Sequence, residues 1–226
     1  SDSTKLVRNC MRDSDIDTKQ YSPKRIQAHI SSLKNQRILP GEAVEFAQSF
    51  FDVKVAEIYS SYQKKLMLAN SMDFDDLLIK AVELLETSDK SLNYWSSKFQ
   101  YIMIDEYQDT NMVQYRLVEL LASKHKNICV VGDSDQSIYA FRGADIRNIE
   151  EFESDFKDAK VISLEKNYRS SQKILDIANA VISNNPRKKD KKLWTDNDEG
   201  LDVNLVEFNS ERDESRWIAE QINKLL

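Results

Sequence analysis

Apolar residues in the first 70 positions recur at helical spacing. Pro23 follows Ser22 where a helix can start, and Ile26, Ile30 and Leu33 fall on one face beyond it. Leu39-Pro40-Gly41-Glu42 interrupts the pattern. It resumes as a long amphipathic series, Val44, Phe46, Ala47, Phe50, Phe51, Val55, Ile58, Tyr59, Tyr62 and Leu66, with no strand-like alternation competing. Residues 1–70 are therefore expected to form an all-helical region.

From residue 71 the pattern changes. Met72-Asp73-Phe74-Asp75-Asp76-Leu77-Leu78 opens another helix, its acids suiting the positive N-terminal end. Short apolar runs then end at acids: Tyr101-Ile102-Met103-Ile104 before Asp105, and Ile128-Cys129-Val130-Val131-Gly132 before Asp133. Val161-Ile162-Ser163-Leu164 is a third candidate strand, and helical stretches are expected near 112–123 and 171–183. Strands alternating with helices predict an α/β fold whose parallel sheet is covered on both faces. Pro186 to Lys192 reads as a basic exposed connector, Val203 to Phe208 alternates like a strand, and Ser210-Glu211-Arg212-Asp213 resembles a capping box before a last helix through Trp217, Ile218 and Ile222.

Composition narrows this only a little. At 226 residues, 41% hydrophobic and 31% charged, the chain has the make-up of a globular protein, and no run approaches the roughly 18 apolar residues of a membrane span. Cys10 and Cys129 are the only cysteines; with two distant histidines they make no structural zinc set, and a reducing cytoplasm fits. Cys129, inside an apolar run, is expected to be a small buried hydrophobe. The net charge of −6 is unevenly spread: residues 1–70 carry +3, 71–160 carry −8 and 161–226 carry −1. Between Asp17 and Glu42 lie Lys19, Lys24, Arg25, Lys34 and Arg37 with no acid, which is either a solvated face or a phosphate track.

The chemistry gathers where the apolar runs end, which is where open α/β sheets bind ligands. Asp105-Glu106 suits nucleotide hydrolysis, the first carboxylate holding Mg²⁺ and the second orienting water, although acidic pairs after strands are common. The run from Gly132 to Asp145 is too polar for a simple β–α connection. It presents the amide of Gln136, the aromatics Tyr139 and Phe141, and the guanidinium of Arg142 within seven residues. An amide can meet a phosphate oxygen, and aromatics beside an arginine suit stacking on unpaired bases. Beyond the third run, Arg169 suits an arginine finger and Tyr168 a base stack. Each segment alone also fits a core or surface ion-pair reading.

Together, in this order, the three segments resemble the UvrD/PcrA/Rep family of superfamily 1 DNA helicases. Asp105-Glu106-Tyr107-Gln108-Asp109-Thr110-Asn111 looks like its Walker B segment, Gly132 through Asp145 like motif III, and Leu164-Glu165-Lys166-Asn167-Tyr168-Arg169-Ser170 like motif IV. Ile30 to Asn35 and Met72 to Leu78 also match segments typical of the family. Where the family usually has Trp, this chain has Phe141, a smaller stacking surface without the indole N–H. The resemblance implies a helical 1B subdomain at 1–70, the second half of RecA-like domain 1A at 71–158 and the first half of 2A at 159–226. It implies Asp105 on Mg²⁺, Glu106 activating water, Gln136 sensing the γ-phosphate, Arg169 as the finger and Tyr168 near the adenine. Tyr139, Phe141 and Arg142 would line a single-strand track. The implied protein is a cytoplasmic, nucleoid-associated ATP-dependent motor of repair or replication, working 3′→5′ on single-stranded and forked DNA.

The chain contains no G-x-x-x-x-G-K-[ST] phosphate loop. Its four glycines are followed by Glu42, Asp133, Ala144 and Leu201. The first residue is not Met and the last helix has no stop signal, so an internal segment is expected, one that does not hydrolyse ATP alone. Two other readings remain open: the helicase subunit of a helicase–nuclease, and for the chain by itself a non-catalytic single-strand-binding module. A P-loop kinase would not need the Tyr139–Arg142 loop.

Overall fold

The computed structural model describes residues 1–185 and 191–226, in two compact units, Ser1–Ala159 and Lys160–Leu226. The first unit begins with α1 (Asp2–Asp13), α2 (Pro23–Asn35) and α3 (Phe50–Leu68). Helix α2 starts at the predicted Pro23. Their apolar faces meet in one core that includes Val7, Met11, Ile26, Ile30, Ile58 and Tyr62. Helices α4 (Phe74–Thr87), α5 (Asp89–Lys98) and α6 (Met112–Ala122) share a second core around Val82, Leu85, Val113 and Leu120. Asp73 and Asp76 close a capping box at the start of α4, and Asn111 and Gln114 close another at α6.

Strands β1 (Ile102–Ile104) and β2 (Ile128–Val130) pair in parallel, with Ile102 opposite Ile128 and Ile104 opposite Val130. Five expectations from the sequence do not hold. Cys129 is exposed, because it pairs with Met103 on the face of the sheet that points to solvent, where Met103 is 78% accessible. The sheet is thus not covered on both faces among the described residues. Val161 to Leu164 forms no strand; nothing described pairs with it, and Val161, Ile162 and Leu164 are exposed. The same holds for Val203 to Phe208, since alternation makes a strand only where a neighbour accepts its backbone bonds. Helix α3 begins at Phe50, not Val44: turns fill 40–46, with Val44 and Phe46 exposed.

Two short helices, α7 (Arg147–Glu150) and α8 (Phe152–Asp155), end the first unit. The second contains α9 (Gln172–Ile182) and α10 (Glu211–Leu225), the latter capped by the Ser210 hydroxyl on the Asp213 N–H. Of the expected basic connector at 186–192, residues 186–190 lie outside the described residues. Among the described residues no helix is long and apolar enough to cross a membrane.

The basic stretch of the first 40 residues is not uniformly a solvated face. Lys34 is buried, its ammonium donating to Asp73 Oδ2 and Asp76 Oδ1 at 2.7 Å each. Tyr62 Oη donates to the same Asp73 oxygen at 2.9 Å, and Gln63 Nε2 to Asp76 Oδ1 at 3.0 Å. Burial pushes the Asp73 carboxyl up, but the hydrogen bond from Lys34, the Asp76 N–H and the Lys34 charge outweigh it and hold the group below the usual carboxylate range. Its contribution to stability is therefore complete above that range and lost as pH falls through the lowered value.

A buried ion triad adds little over an apolar replacement, yet losing one member strands the others. Lys34→Met is expected to destabilise the chain by about 3–5 kcal/mol in urea unfolding. Lys34→Met with Asp73→Leu and Asp76→Leu is expected to recover much of that loss. An unchanged midpoint in the single variant would contradict the arrangement.

Candidate active site

The β-sheet edge sets the site. The Val131 N–H donates to Ile104 O at 2.8 Å and the Tyr107 N–H to Val131 O at 3.0 Å, so pairing continues past both strands and brings 105–108 beside 131–133. Asp105 and Glu106 follow β1 directly and are exposed. Glu106 adopts the left-handed conformation, φ 50°, ψ 43°, unfavourable for a residue with a Cβ. The chain turns sharply there into the 3-10 turn Tyr107–Asp109. Tyr107 is buried, which raises its phenol to about 12.

One residue unremarked in the sequence holds the two segments together. Gln108 is 1% exposed; its Nε2 donates to Glu106 Oε2 at 2.8 Å and its Oε1 accepts from the Asp133 N–H at 2.9 Å. Asp133 caps the 3-10 turn Ser134–Gln136, and its Oδ2 accepts from Gln136 Nε2 at 2.8 Å. Glu106, Gln108, Asp133 and Gln136 thus form one hydrogen-bonded line, joining two candidate residues about 30 positions apart in sequence. Only the polar density of both segments hinted at it; an amide two positions after a glutamate is not otherwise distinctive.

Gly132 makes room for this line. A Cβ there would stand 2.6 Å from Gln108 Oε1 and 3.2 Å from the Tyr107 backbone N. Farther along, Tyr139 precedes the 3-10 turn Ala140–Arg142, which ends at Gly143 with φ 89°. The Tyr139 and Phe141 rings lie 6.0 Å apart, tilted by 43°, and Phe141 is 78% exposed. The side chain of Arg142 lies outside the described residues. The Arg147 guanidinium holds the Asp145 carboxyl below its ordinary range, against the smaller effect of burial.

A family model described as the UvrD/REP helicase N-terminal domain matches residues 1–157, and one described as the UvrD-like helicase C-terminal domain matches 162–226. The chain belongs to the UvrD/REP helicase family. The ATP-dependent DNA helicase PcrA of Staphylococcus aureus and that of Staphylococcus epidermidis are each 46% identical to it over 224 residues, 99% of this chain and 31% of the relative. The chain therefore spans about a third of the length of these curated relatives.

The second unit of this UvrD/REP chain carries Tyr168 and Arg169. The Asn167 N–H donates to Trp194 O at 2.7 Å, and Asn167 Oδ1 accepts from the N–H groups of Arg169 and Ser170 at 2.9 and 2.7 Å. Lys166 Nζ lies over both the Tyr168 and Trp194 rings, at 5.3 and 5.1 Å. Tyr168 and Arg169 are exposed. Trp194 is the anchor that the sequence reading missed.

Among the described residues no three acidic, His or Cys side chains gather as a metal cage. Asp105 offers one exposed carboxylate with one oxygen on the Glu106 N–H at 2.9 Å. Such a donor fits Mg²⁺, which typically takes one or two carboxylates and fills its other positions with water and phosphate oxygens. Gly132→Ala is expected to destabilise the chain by about 1–3 kcal/mol, because neither Gln108 nor the Tyr107 backbone can give way. The urea midpoint measures this, and a wild-type midpoint would contradict it.

Proposed function

We propose that the protein carrying this chain is an ATP-dependent DNA helicase that moves 3′→5′ along single-stranded DNA and unwinds forked duplex during repair or replication, in the cytoplasm against the nucleoid. The observation that carries the reading is the hydrogen-bonded line from Glu106 through Gln108 and Asp133 to Gln136. Family membership and the ATP-dependent DNA helicase activity by which the PcrA relatives are named support it. In the same reading residues 1–70 are the 1B subdomain, 71–158 the second half of RecA-like domain 1A, and 159–226 the first half of 2A.

Asp105 is the residue that would hold Mg²⁺, which supplies charge neutralisation at the phosphates when bound. Glu106 accepts a proton from the attacking water and orients it. The Gln108 amide donates to one oxygen of that carboxylate and leaves the other for water. Gln136 senses the γ-phosphate by exchanging its bond to Asp133 for one to a phosphate oxygen. Arg169 stabilises charge on the transferring group, and Tyr168 stacks near the adenine. Tyr139, Phe141 and Arg142 grip unpaired bases, each stack being worth about 1–3 kcal/mol.

Because Gln136 lies three residues before Tyr139 on one continuous loop, phosphate state and DNA grip are coupled. In the complete protein Glu106→Gln is expected to lower ATP turnover by about 10²–10⁴-fold, as loss of a general base does. Gln136→Ala is expected to weaken DNA stimulation of turnover more than it weakens DNA binding. Equal stimulation in Gln136→Ala and wild type would refute the coupling.

A further inference from the structure

Two segments that resemble the family, Ile30 to Asn35 and Met72 to Leu78, have no role in the reading above, yet they meet at one place. The Lys34 ion triad ties the last turn of α2 to the first turn of α4. The next residue, Asn35, is 8% exposed. Its Oδ1 accepts from Asn111 Nδ2 at 2.8 Å, across 76 positions of sequence. Asn111 Oδ1 accepts meanwhile from the Gln114 N–H at 2.9 Å, so the Asn111 side chain is used at both ends.

On its other side Asn35 meets the aromatic turn. A Cβ on Gly143 would stand 3.0 Å from Asn35 Cβ and 3.3 Å from its Nδ2. Gly143 closes the turn Ala140–Arg142, its N–H donating to Ala140 O at 3.0 Å, and the Ala144 N–H reaches Tyr139 O at 3.3 Å. Just beyond, the Asp145 N–H donates to Thr110 O at 2.9 Å, and Asn148 Nδ2 to Thr110 O and Oγ1 at 3.0 and 3.1 Å. The segment just after the turn that bears Tyr139 and Phe141 is thus fastened to Thr110, while Asn35 sits against both Asn111 and Gly143.

We propose that Asn35 is a positioning residue for DNA-coupled ATP hydrolysis. Seated by the Lys34 triad, it sets the Tyr139–Phe141 turn at a fixed distance from the segment Asp105 to Asn111. A buried ion triad gives little net stability, but it fixes which face of α2 meets α4, and that choice aims Asn35. The inference rests on the helicase reading, since the distance matters only if the turn grips DNA while Glu106 hydrolyses nucleotide.

The test uses the complete protein, with ATP turnover measured without DNA and across a titration of oligo-dT. Asn35→Leu keeps the size and removes the acceptor. It is expected to raise the half-saturating oligonucleotide concentration about tenfold, equivalent to about 1.4 kcal/mol, with DNA-free turnover and the KM for ATP within about twofold of wild type. Asn35→Asp keeps the acceptor for Asn111 and is expected to titrate like wild type. Asn35→Ala, which adds no bulk against Gly143, gives the same direction as Asn35→Leu and decides the matter if the leucine variant does not fold. An unmoved oligonucleotide titration, or DNA-free turnover falling in step with DNA-stimulated turnover, would overturn the inference. Wild-type turnover that DNA does not stimulate would instead overturn the helicase reading.

Discussion

A buried side-chain amide has one donor end and one acceptor end, and leaving either unmade costs about 1–3 kcal/mol. Gln108 has both ends occupied, by Glu106 and by the Asp133 backbone, in the space left by the missing Cβ of Gly132. The carboxylate at the end of β1 and the loop after β2 are for this reason not free to move independently. Asp133 also accepts from Gln136 Nε2, so one amide stands between the Gln136 turn and the Glu106 carboxylate. The left-handed backbone at Glu106 aims the carboxylate back toward that amide, so a local conformational cost is offset by a shared hydrogen bond.

The helical part of the first unit supports this line at a distance. Its core is apolar, and Lys34, held by two carboxylates and lying 5.3 Å from the Tyr62 ring centre, ties α2 to the start of α4 beside it. Asn35, at the end of α2, reaches Asn111 and lies against Gly143 of the aromatic turn. The acidic surplus of residues 71–160 is partly spent in the same way: Asp73 and Asp76 meet Lys34, and Glu86 meets Arg37 and Arg116. Two of the five basic residues between Asp17 and Glu42, Lys34 and Arg37, are thus held in ion pairs within the fold.

The sequence was readable where local rules decide. Helices α2, α4, α6 and α9 lie where apolar spacing and caps put them, and β1 and β2 lie where apolar runs end in acids. It misled where a neighbour decides. Val161 to Leu164 and Val203 to Phe208 have the composition of strands without described partners. Cys129 lies in an apolar run but on the open face of a two-stranded sheet. Lys34 looked like one member of a solvated basic face and is buried, because its partners stand about 40 positions away. Residue pattern put Asp105, Glu106 and Gln136 beyond strand ends, and they lie there. Gln108, Asn35 and Trp194 were not legible, since each acts through a contact made only by folding.

In the proposed helicase reading, the Gln108 amide couples the Gln136 loop to Glu106. The most direct measurement is single-turnover ATP hydrolysis by the complete protein carrying Gln108→Met, with and without saturating oligo-dT. Methionine matches the length of the side chain and provides neither end of the amide. The account predicts that DNA and ATP still bind while the acceleration of hydrolysis by DNA falls by about tenfold or more, by analogy with the loss of a group that orients a general base. Acceleration equal to that of the wild type would contradict it.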